Sequence, residues 1–275
     1  MELLNQYFEF KDTGERAIEV DPRSVDASRI HHLKNIGFNR LSFGIQDFDP
    51  EVQDHIGRHQ SVEDVSVIFE AARDAGFESI NCDLIYGLPG QTMASFSKTL
   101  QHIANLGPDR IALYSFAYVP WLYSHQSLMP EDAFPDTEEK LSIFTSAREF
   151  FLNNGYTAIA MDHFAKETDE LSIAYKNGTM TRNFMGYTTL TTEDYIGLGV
   201  SAIGYAAEGF AQNTKDLKVY KESLDNNKLP IEKGLGLTKD DVLRRWLITT
   251  LMCQFQVEKA TVNESFGIEF ECYFK

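Results

Sequence analysis

Along the first 163 residues, apolar positions keep two alternating rhythms. Short runs rich in β-branched and aromatic side chains, at 17–21, 40–46, 79–86, 110–116 and 157–163, predict strands. Between the second and third, Val62, Val65, Ile68, Phe69 and Ala72 share one face of a helix expected over 61–75, with Ser61 as N-cap and Asp64 at the capping-box spacing. Segments 92–106 and 137–153 behave alike, each opening on a threonine cap and carrying a Phe/Leu/Ile stripe. Helices close on a recurring phrase: Asn-Ile-Gly37-Phe, Asp-Ala-Gly76-Phe, Asn-Leu-Gly107-Pro and Asn-Asn-Gly155-Tyr. A glycine just past a helix takes the left-handed conformation that ends it. Such α–Gly–β junctions imply right-handed crossovers and a parallel sheet, so the class is α/β. An open doubly wound sheet and a barrel both satisfy the pattern.

After His163 the rhythm stops. Residues 164–215 read as loop-rich, 216–227 as a short polar helix, 229–236 as a linker and 238–255 as a strong helix. Thr238 caps that last helix, Asp240 and Asp241 sit at its positive end, and Leu243, Trp246, Leu247 and Leu251 line one face. The expected organisation is an α/β domain over 1–215 and a small helical C-terminal domain over 216–275. Residues 263–275 begin another apolar helix or strand that the chain leaves unfinished.

Composition narrows the function classes. The chain has 275 residues, 43% of them hydrophobic, which is too apolar for disorder and enough for a sizeable core. It has no apolar run long enough for a membrane span, and the first residues lack the features of a signal peptide. With 41 acidic against 25 basic residues the net charge is −16, which argues against nucleic acid as a partner. Cys82, Cys253 and Cys272 are too scattered for a disulfide framework or a metal knuckle, so a reducing compartment is expected.

Polar residues gather where the predicted strands end. Glu19 and Asp21 close the first, Gln46 and Asp47 the second, and Asn81, Asp83 and Tyr86 the third. The fourth runs through Tyr114 to Tyr118 and the fifth ends at Asp162-His163. Ligands of parallel α/β folds sit beyond these ends, and a shared pocket explains the set with one cause. Plainer readings stand beside it. Asp21 before Pro22 reads as a turn former, Asp47 and Asp49 as caps of the loop into Pro50, and Gly87-Leu-Pro-Gly90 as a turn. His31, His32, His55 and His59 read as surface histidines, and Cys82 as a core residue. Asp162-His163 reads equally as an acid/base pair and as a strand-end histidine bonded to its neighbour. Residues alone thus lead to a parallel α/β enzyme with a polar pocket and an unnamed ligand.

Three phrases carry further: Ala-Ile-Glu19-Val-Asp-Pro-Arg, Asn-Arg-Leu-Ser-Phe-Gly-Ile-Gln46-Asp-Phe and Asn-Cys-Asp83-Leu-Ile-Tyr-Gly-Leu-Pro-Gly-Gln-Thr. With Met161-Asp-His-Phe-Ala165, Arg182-Asn-Phe-Met-Gly-Tyr-Thr188 and Gly197-Leu-Gly-Val-Ser-Ala-Ile203, they resemble the radical S-adenosylmethionine superfamily. Within it they are most similar to the oxygen-independent coproporphyrinogen III oxidases. The resemblance implies a partial parallel (β/α) barrel with a small helical C-terminal domain, a [4Fe–4S] cluster and two S-adenosylmethionine molecules. It implies oxidative decarboxylation of two propionates of coproporphyrinogen III to vinyl groups, giving protoporphyrinogen IX for heme. A monomeric cytoplasmic enzyme served by an electron donor such as flavodoxin or ferredoxin is further implied. By the same resemblance Glu19 and Ile203 would contact the first S-adenosylmethionine, and Gln46, Arg58, Asp83 and Ala117 the second. His163, Arg182 and Tyr187 are candidates for substrate contacts, because a polyanionic porphyrinogen calls for cations and hydrogen-bond donors. A heme-chaperone-like porphyrin-binding relative is the alternative.

The family's C-x-x-x-C-x-x-C cluster motif has no counterpart in the chain. The sequence therefore reads as an N-terminally truncated piece, expected neither to hold the cluster nor to cleave S-adenosylmethionine. Its sheet is expected to carry an exposed edge.

Overall fold

The period of two in the strands decides which face of the main sheet is covered. The computed structural model describes residues 1–190 and 194–275, in two compact units, 1–172 and 173–275. The first unit begins with α1 (Glu2–Tyr7), β1 (Ala17–Val20), α2 (Ala27–Asn35), β2 (Arg40–Gln46), α3 (Pro50–Ile56) and α4 (Val62–Asp74). It continues with β3 (Ser79–Tyr86), α5 (Met93–Leu106), β4 (Arg110–Ser115), α6 (Thr137–Asn153), β5 (Tyr156–Ile159) and β6 (His163–Lys166). Strand order is β1-β2-β3-β4-β6-β5, with β1 through β4 parallel and the last two antiparallel.

Leu41, Phe43 and Ile45 of β2, Ile80, Cys82 and Leu84 of β3, and Ile111 and Leu113 of β4 share one face. They join Ile30 of α2, Val65 and Phe69 of α4, Phe96 and Leu100 of α5, and Ile143 and Phe151 of α6 in a single core. All four crossovers thus bury their stripes on the same side of the sheet. A doubly wound sheet would need helices on both faces, so the arrangement is that of a barrel wall; it does not close. The opposite face carries Glu19, Ser42, Asn81, Asp83 and Tyr114. β1 is an edge strand.

Caps explain most boundaries. Ser61 Oγ accepts from Asp64 N–H at 3.0 Å, and Thr92 and Ser95 make a reciprocal capping box. The cap of α6 is Asp136, which accepts from Glu139 N–H at 2.8 Å, and Thr137 is the first helical residue, not the expected cap. Gly37, Gly76, Gly107 and Gly155 all take positive φ at the helix ends, as their phrases predict. The strand expected over 157–163 is in fact a hairpin: Ala160 takes φ +46, the chain reverses, and β6 returns between β5 and β4. Regular apolar content hid the reversal, since the turn carries no glycine or proline.

The second unit corrects the reading more. α7 (Glu170–Lys176) runs across the division at 172, followed by β7 (Thr181–Asn183), β8 (Gly186–Thr188), β9 (Ile203–Ala206), β10 (Gly209–Asn213) and α8 (Leu217–Asp225). Then come β11 (Ile231–Gly236), α9 (Lys239–Gln254), α10 (Lys259–Phe266) and α11 (Phe270–Tyr273). The stretch expected as loops over 164–215 holds short strands, and the expected linker at 229–236 contains β11, which pairs antiparallel with β10. Every residue of β11 is exposed, so it shows no apolar alternation to read. The expected boundary at residue 215 lies inside the second unit, which is part sheet and part helix. Thr238 caps α9 in a capping box with Asp241, as expected. Among the described residues no helix is long and apolar enough to cross a membrane.

Phe151 is fully buried, with the rings of Phe164 at 5.0 Å and Tyr156 at 5.8 Å. Phe151→Ala is expected to cost about 3–5 kcal/mol, read as a lowered urea midpoint with an unchanged slope.

Candidate functional site

The uncovered face of the sheet is wired by hydrogen bonds between strands. In register, Glu19 lies beside Ser42, Ser42 beside Asn81, and Gly44 beside Asp83, which is in turn level with Ala112 and His163. Ser42 Oγ donates to Asp83 Oδ2 at 3.0 Å; Asn81 Nδ2 donates to Asp83 Oδ1 and to Ser42 Oγ, both at 2.8 Å. Burial, the largest influence, pushes the Asp83 carboxyl up. The hydrogen bonds from Asn81 and Ser42 pull it back, the Glu19 charge adds to the rise, and His163 opposes it. Glu19, Asp83 and His163 therefore feel one another across the face. His163 Nδ1 lies 2.7 Å from Asp162 Oδ1 and its ring stands edge-on to Tyr114 at 5.7 Å.

Gln46 and Arg58 converge at the end of β2. Arg58 reaches back from the turn after α3, donating to the Gly44 carbonyl at 2.9 Å and pairing with Asp21 Oδ2 at 3.4 Å. A methyl group placed on Gly44 would lie 2.9 Å from Gln46 Nε2 and 3.6 Å from Arg58 Nη2. Glycine thus keeps open the space under both groups. The Arg58 Nε is buried without a hydrogen-bond partner, and burial lowers the guanidinium's pKa from its ordinary value. A partly desolvated cation that keeps some exposed surface fits a carboxylate ligand. Asp21 is more than a turn former: it caps the single turn Pro22–Ser24 and bonds Arg23, which holds its carboxyl down at about 2.

Ala117 is exposed beyond β4, and its carbonyl accepts from Gln126 Nε2 at 3.2 Å. Just before it, Lys140 Nζ of α6 donates to the Phe116 carbonyl at 2.9 Å. The remaining predicted residues belong to the second unit. Ile203 opens β9, and Gly197 packs so close to its backbone that a Cβ there would meet the Ile203 carbonyl carbon at 2.7 Å. Arg182 and Tyr187 face each other across the β7–β8 pair, with the guanidinium carbon 5.2 Å from the ring centre. Both also reach α9, Arg182 to the Met252 sulfur at 3.4 Å and Tyr187 to the Met252 carbonyl at 3.5 Å.

Asp47 caps the loop as expected, its Oδ1 accepting from the Asp49 N–H at 2.9 Å, but it is also completely buried, and Asp49 caps α3. Ser42, Asn81 and Lys140 were not singled out as candidates in their own right. The alternation Ser42/Gly44/Gln46 against Asn81/Asp83 is the signal that marks the first two, once the strands are paired. Cys82 is buried in the core, as expected, and burial pushes its thiol well up. Cys253 is buried in the second unit and Cys272 is exposed. Among the described residues no group of three or more His, Cys, Asp or Glu is placed to hold a metal. The residues present therefore do not fit an iron–sulfur cluster.

The Radical SAM superfamily pattern matches residues 3–103. The oxygen-independent coproporphyrinogen III oxidase of Synechocystis is 45% identical over 271 residues, 98% of this chain and 58% of that protein. The protein of the same name from Thermostichus vulcanus is 44% identical over 95% of this chain and 81% of its own length. A solved structure of the Escherichia coli coproporphyrinogen III oxidase, described as a radical SAM enzyme, superposes with a TM-score of 0.96 at 40% identity, covering 99% of this chain and 63% of that one. The chain thus spans 58% of the length of the Synechocystis relative.

The raised Asp83 carboxyl carries a stability consequence with a definite sign. The folded state holds this proton more tightly than the unfolded state, so the group costs stability at neutral pH, and the cost fades as pH falls through the folded value toward the ordinary one. Asp83→Asn removes the charge but also one of the two oxygens that Asn81 and Ser42 use, so the sign is read from the trend: the Tm of the variant relative to the parent is expected to fall as pH is lowered. Calorimetry at several pH values reads it, and a variant that gains on the parent under acid would contradict the sign.

Proposed function

The chain belongs to the oxygen-independent coproporphyrinogen III oxidase family of the radical S-adenosylmethionine superfamily, and we propose that it supplies the part of such an enzyme that cradles S-adenosylmethionine. The single observation that carries this reading is the convergence of Gln46 and Arg58 over the bare Cα of Gly44, in register with Asp83. Arg58 meets the methionyl carboxylate with the part of its guanidinium that stays exposed. Asp83 accepts from the ammonium or the ribose hydroxyls, and Gln46 serves as a two-way amide between them. Ala117 offers its surface to adenine at the end of β4. Glu19 takes an acceptor's role toward the first S-adenosylmethionine.

S-adenosylmethionine and a [4Fe–4S] cluster, whose ligands these residues do not supply, would together furnish the hydrogen-atom abstraction that oxidative decarboxylation of a propionate requires. The family uses both groups. In this reading coproporphyrinogen III is the substrate of the whole protein, with Arg182 and Tyr187 as its contacts. A cytoplasmic monomer fed by a flavodoxin or ferredoxin completes it. The name shared by the relatives favours the oxidase over the heme-chaperone alternative.

Equilibrium dialysis of this chain with S-adenosylmethionine tests the cradle directly. Arg58→Met is expected to weaken binding at least about tenfold, the scale of one lost charge-assisted hydrogen bond pair. Unchanged binding would remove Arg58 from the site. For the substrate, quenching of coproporphyrin fluorescence is expected to weaken several-fold in Arg182→Met, and an identical titration would withdraw that assignment. After anaerobic reconstitution with iron and sulfide, this chain is expected to form no 5′-deoxyadenosine; its appearance would mean that other ligands hold the cluster.

A further inference from the structure

Gln46 stands in a conformation its own chemistry does not favour. Its φ is +67, and the Asp47 N–H closes back on the Ile45 carbonyl at 2.9 Å, an i→i+2 turn. Such γ-turns with positive φ are rare and strained for a residue with a Cβ, and they persist only where surrounding contacts over-determine them. The β2–β3 register slips at the same place, between Gly44 and Gln46. The strain therefore sits on the residue whose amide overhangs Gly44.

Its surroundings account for the hold. Three carbonyls flank the turn, and each accepts from a side chain of the segment 53–60. Arg58 Nη2 donates to Gly44 O at 2.9 Å, Gln60 Nε2 to Ile45 O at 2.6 Å, and Gln53 Nε2 to Asp47 O at 3.0 Å. The anchor is the Asp47 carboxylate, wholly inaccessible to solvent. It accepts from Thr99 Oγ1 of α5 at 2.5 Å, from Gln91 Nε2 at 2.6 Å and from Asp49 N–H at 2.9 Å.

Charge chemistry explains why an aspartate stands there. Gln91 Oε1 is committed to the Gly87 N–H at 2.6 Å and the Leu88 N–H at 3.4 Å, so its amide nitrogen must face Asp47. An asparagine at 47 would have one acceptor oxygen for donors that now use two. Burying a carboxylate is expensive and raises its pKa; here the hydrogen bonds from Thr99, Asp49 and Gln91 oppose that rise. A sequence needing only a loop cap has no reason to bury an acid behind α5.

We infer that Asp47 is a positioning residue for S-adenosylmethionine binding: through Thr99, Gln91 and the carbonyl clamp of residues 53–60, it holds Gln46 in the strained turn that aims its amide across Gly44. The inference rests on the reading of Gln46 as a ligand contact for its functional meaning, and on geometry alone for the strain.

A double-mutant cycle on this chain separates the two. In the parent, Gln46→Gly relieves the strain and is expected to raise Tm by about 2–4 °C. In the Asp47→Asn background, where the turn is free to relax, the same change is expected to give less than about 1 °C. Equal shifts in both backgrounds, the additive result for two independent sites, would overturn the inference. Should Asp47→Asn not yield folded protein, Gln60→Met, which removes the amide held by the Ile45 carbonyl, takes its place in the cycle with the same two outcomes. Dialysis with S-adenosylmethionine adds the functional arm: Asp47→Asn is expected to weaken binding about tenfold although residue 47 is out of reach of any ligand. Undiminished binding beside a weakened Gln46→Ala overturns the positioning role. Binding that Gln46→Ala leaves untouched overturns instead the assignment of Gln46 as a contact, while the thermal cycle still decides whether Asp47 holds the turn.

Discussion

A β-strand turns successive side chains to opposite sides, and in β2 and β3 this two-residue period separates what folds the first unit from what offers it chemistry. Leu41, Phe43, Ile45, Ile80, Cys82 and Leu84 point into the helices and are almost entirely buried. Ser42, Gly44, Asn81 and Asp83 point the other way and bond to one another across the strands. A slip of one residue would turn Phe43 of β2 out of the core or Asp83 of β3 into it. The apolar side therefore sets the register, and the register places the polar side. Binding groups on such a wall inherit their precision from hydrophobic packing they do not touch.

A half-buried carboxylate and a fully buried one in this region illustrate different uses of the same expensive group. Asp83 is pushed up by burial and shares its neighbourhood with Glu19, so part of its cost is unmet within the chain. That is the condition of a group prepared for a cationic or hydroxyl-bearing ligand. Asp47 is deeper but fully engaged, with donors from α5, the Gly87–Gly90 turn and its own loop. Its value lies in geometry. Arg58 bridges the two regions, anchored by the Gly44 carbonyl on one side and Asp21 on the other, with one buried nitrogen still unmatched.

Legibility followed local periodicity. β2 and β3 were read to the residue, as were the helices whose caps are Ser61, Thr92 and Thr238, because apolar spacing and a cap are both short-range signals. The hairpin at Ala160 and the exposed strand β11 escaped: the first reverses without a glycine or proline, and the second buries nothing. Asp47 is legible only in part, for a related reason: it caps the loop, as its place predicts, but it is also buried. A lone aspartate before Asp49 and Pro50 has the local grammar of a cap, and nothing nearby in sequence announces that Thr99, 52 residues on, will cover it. Motif resemblance singled out Gln46, Arg58 and Asp83. The comparisons support the family, and the geometry explains why these residue types suit one place.

Sequence by itself determined the α/β class, the alternating strands, the glycine-closed helices, the family and the absence of its cysteine motif from these 275 residues. These depend on contacts between near neighbours along the chain, or on identities that need no coordinates. Tertiary structure alone decided that all the crossover helices cover one face, that Gly44 opens a space beneath Gln46 and Arg58, and that Gln46 is held at positive φ by a buried acid. Each of those depends on residues far apart in sequence meeting at hydrogen-bond distance, where pairing energies and steric exclusion act through space and leave no periodic trace in the chain.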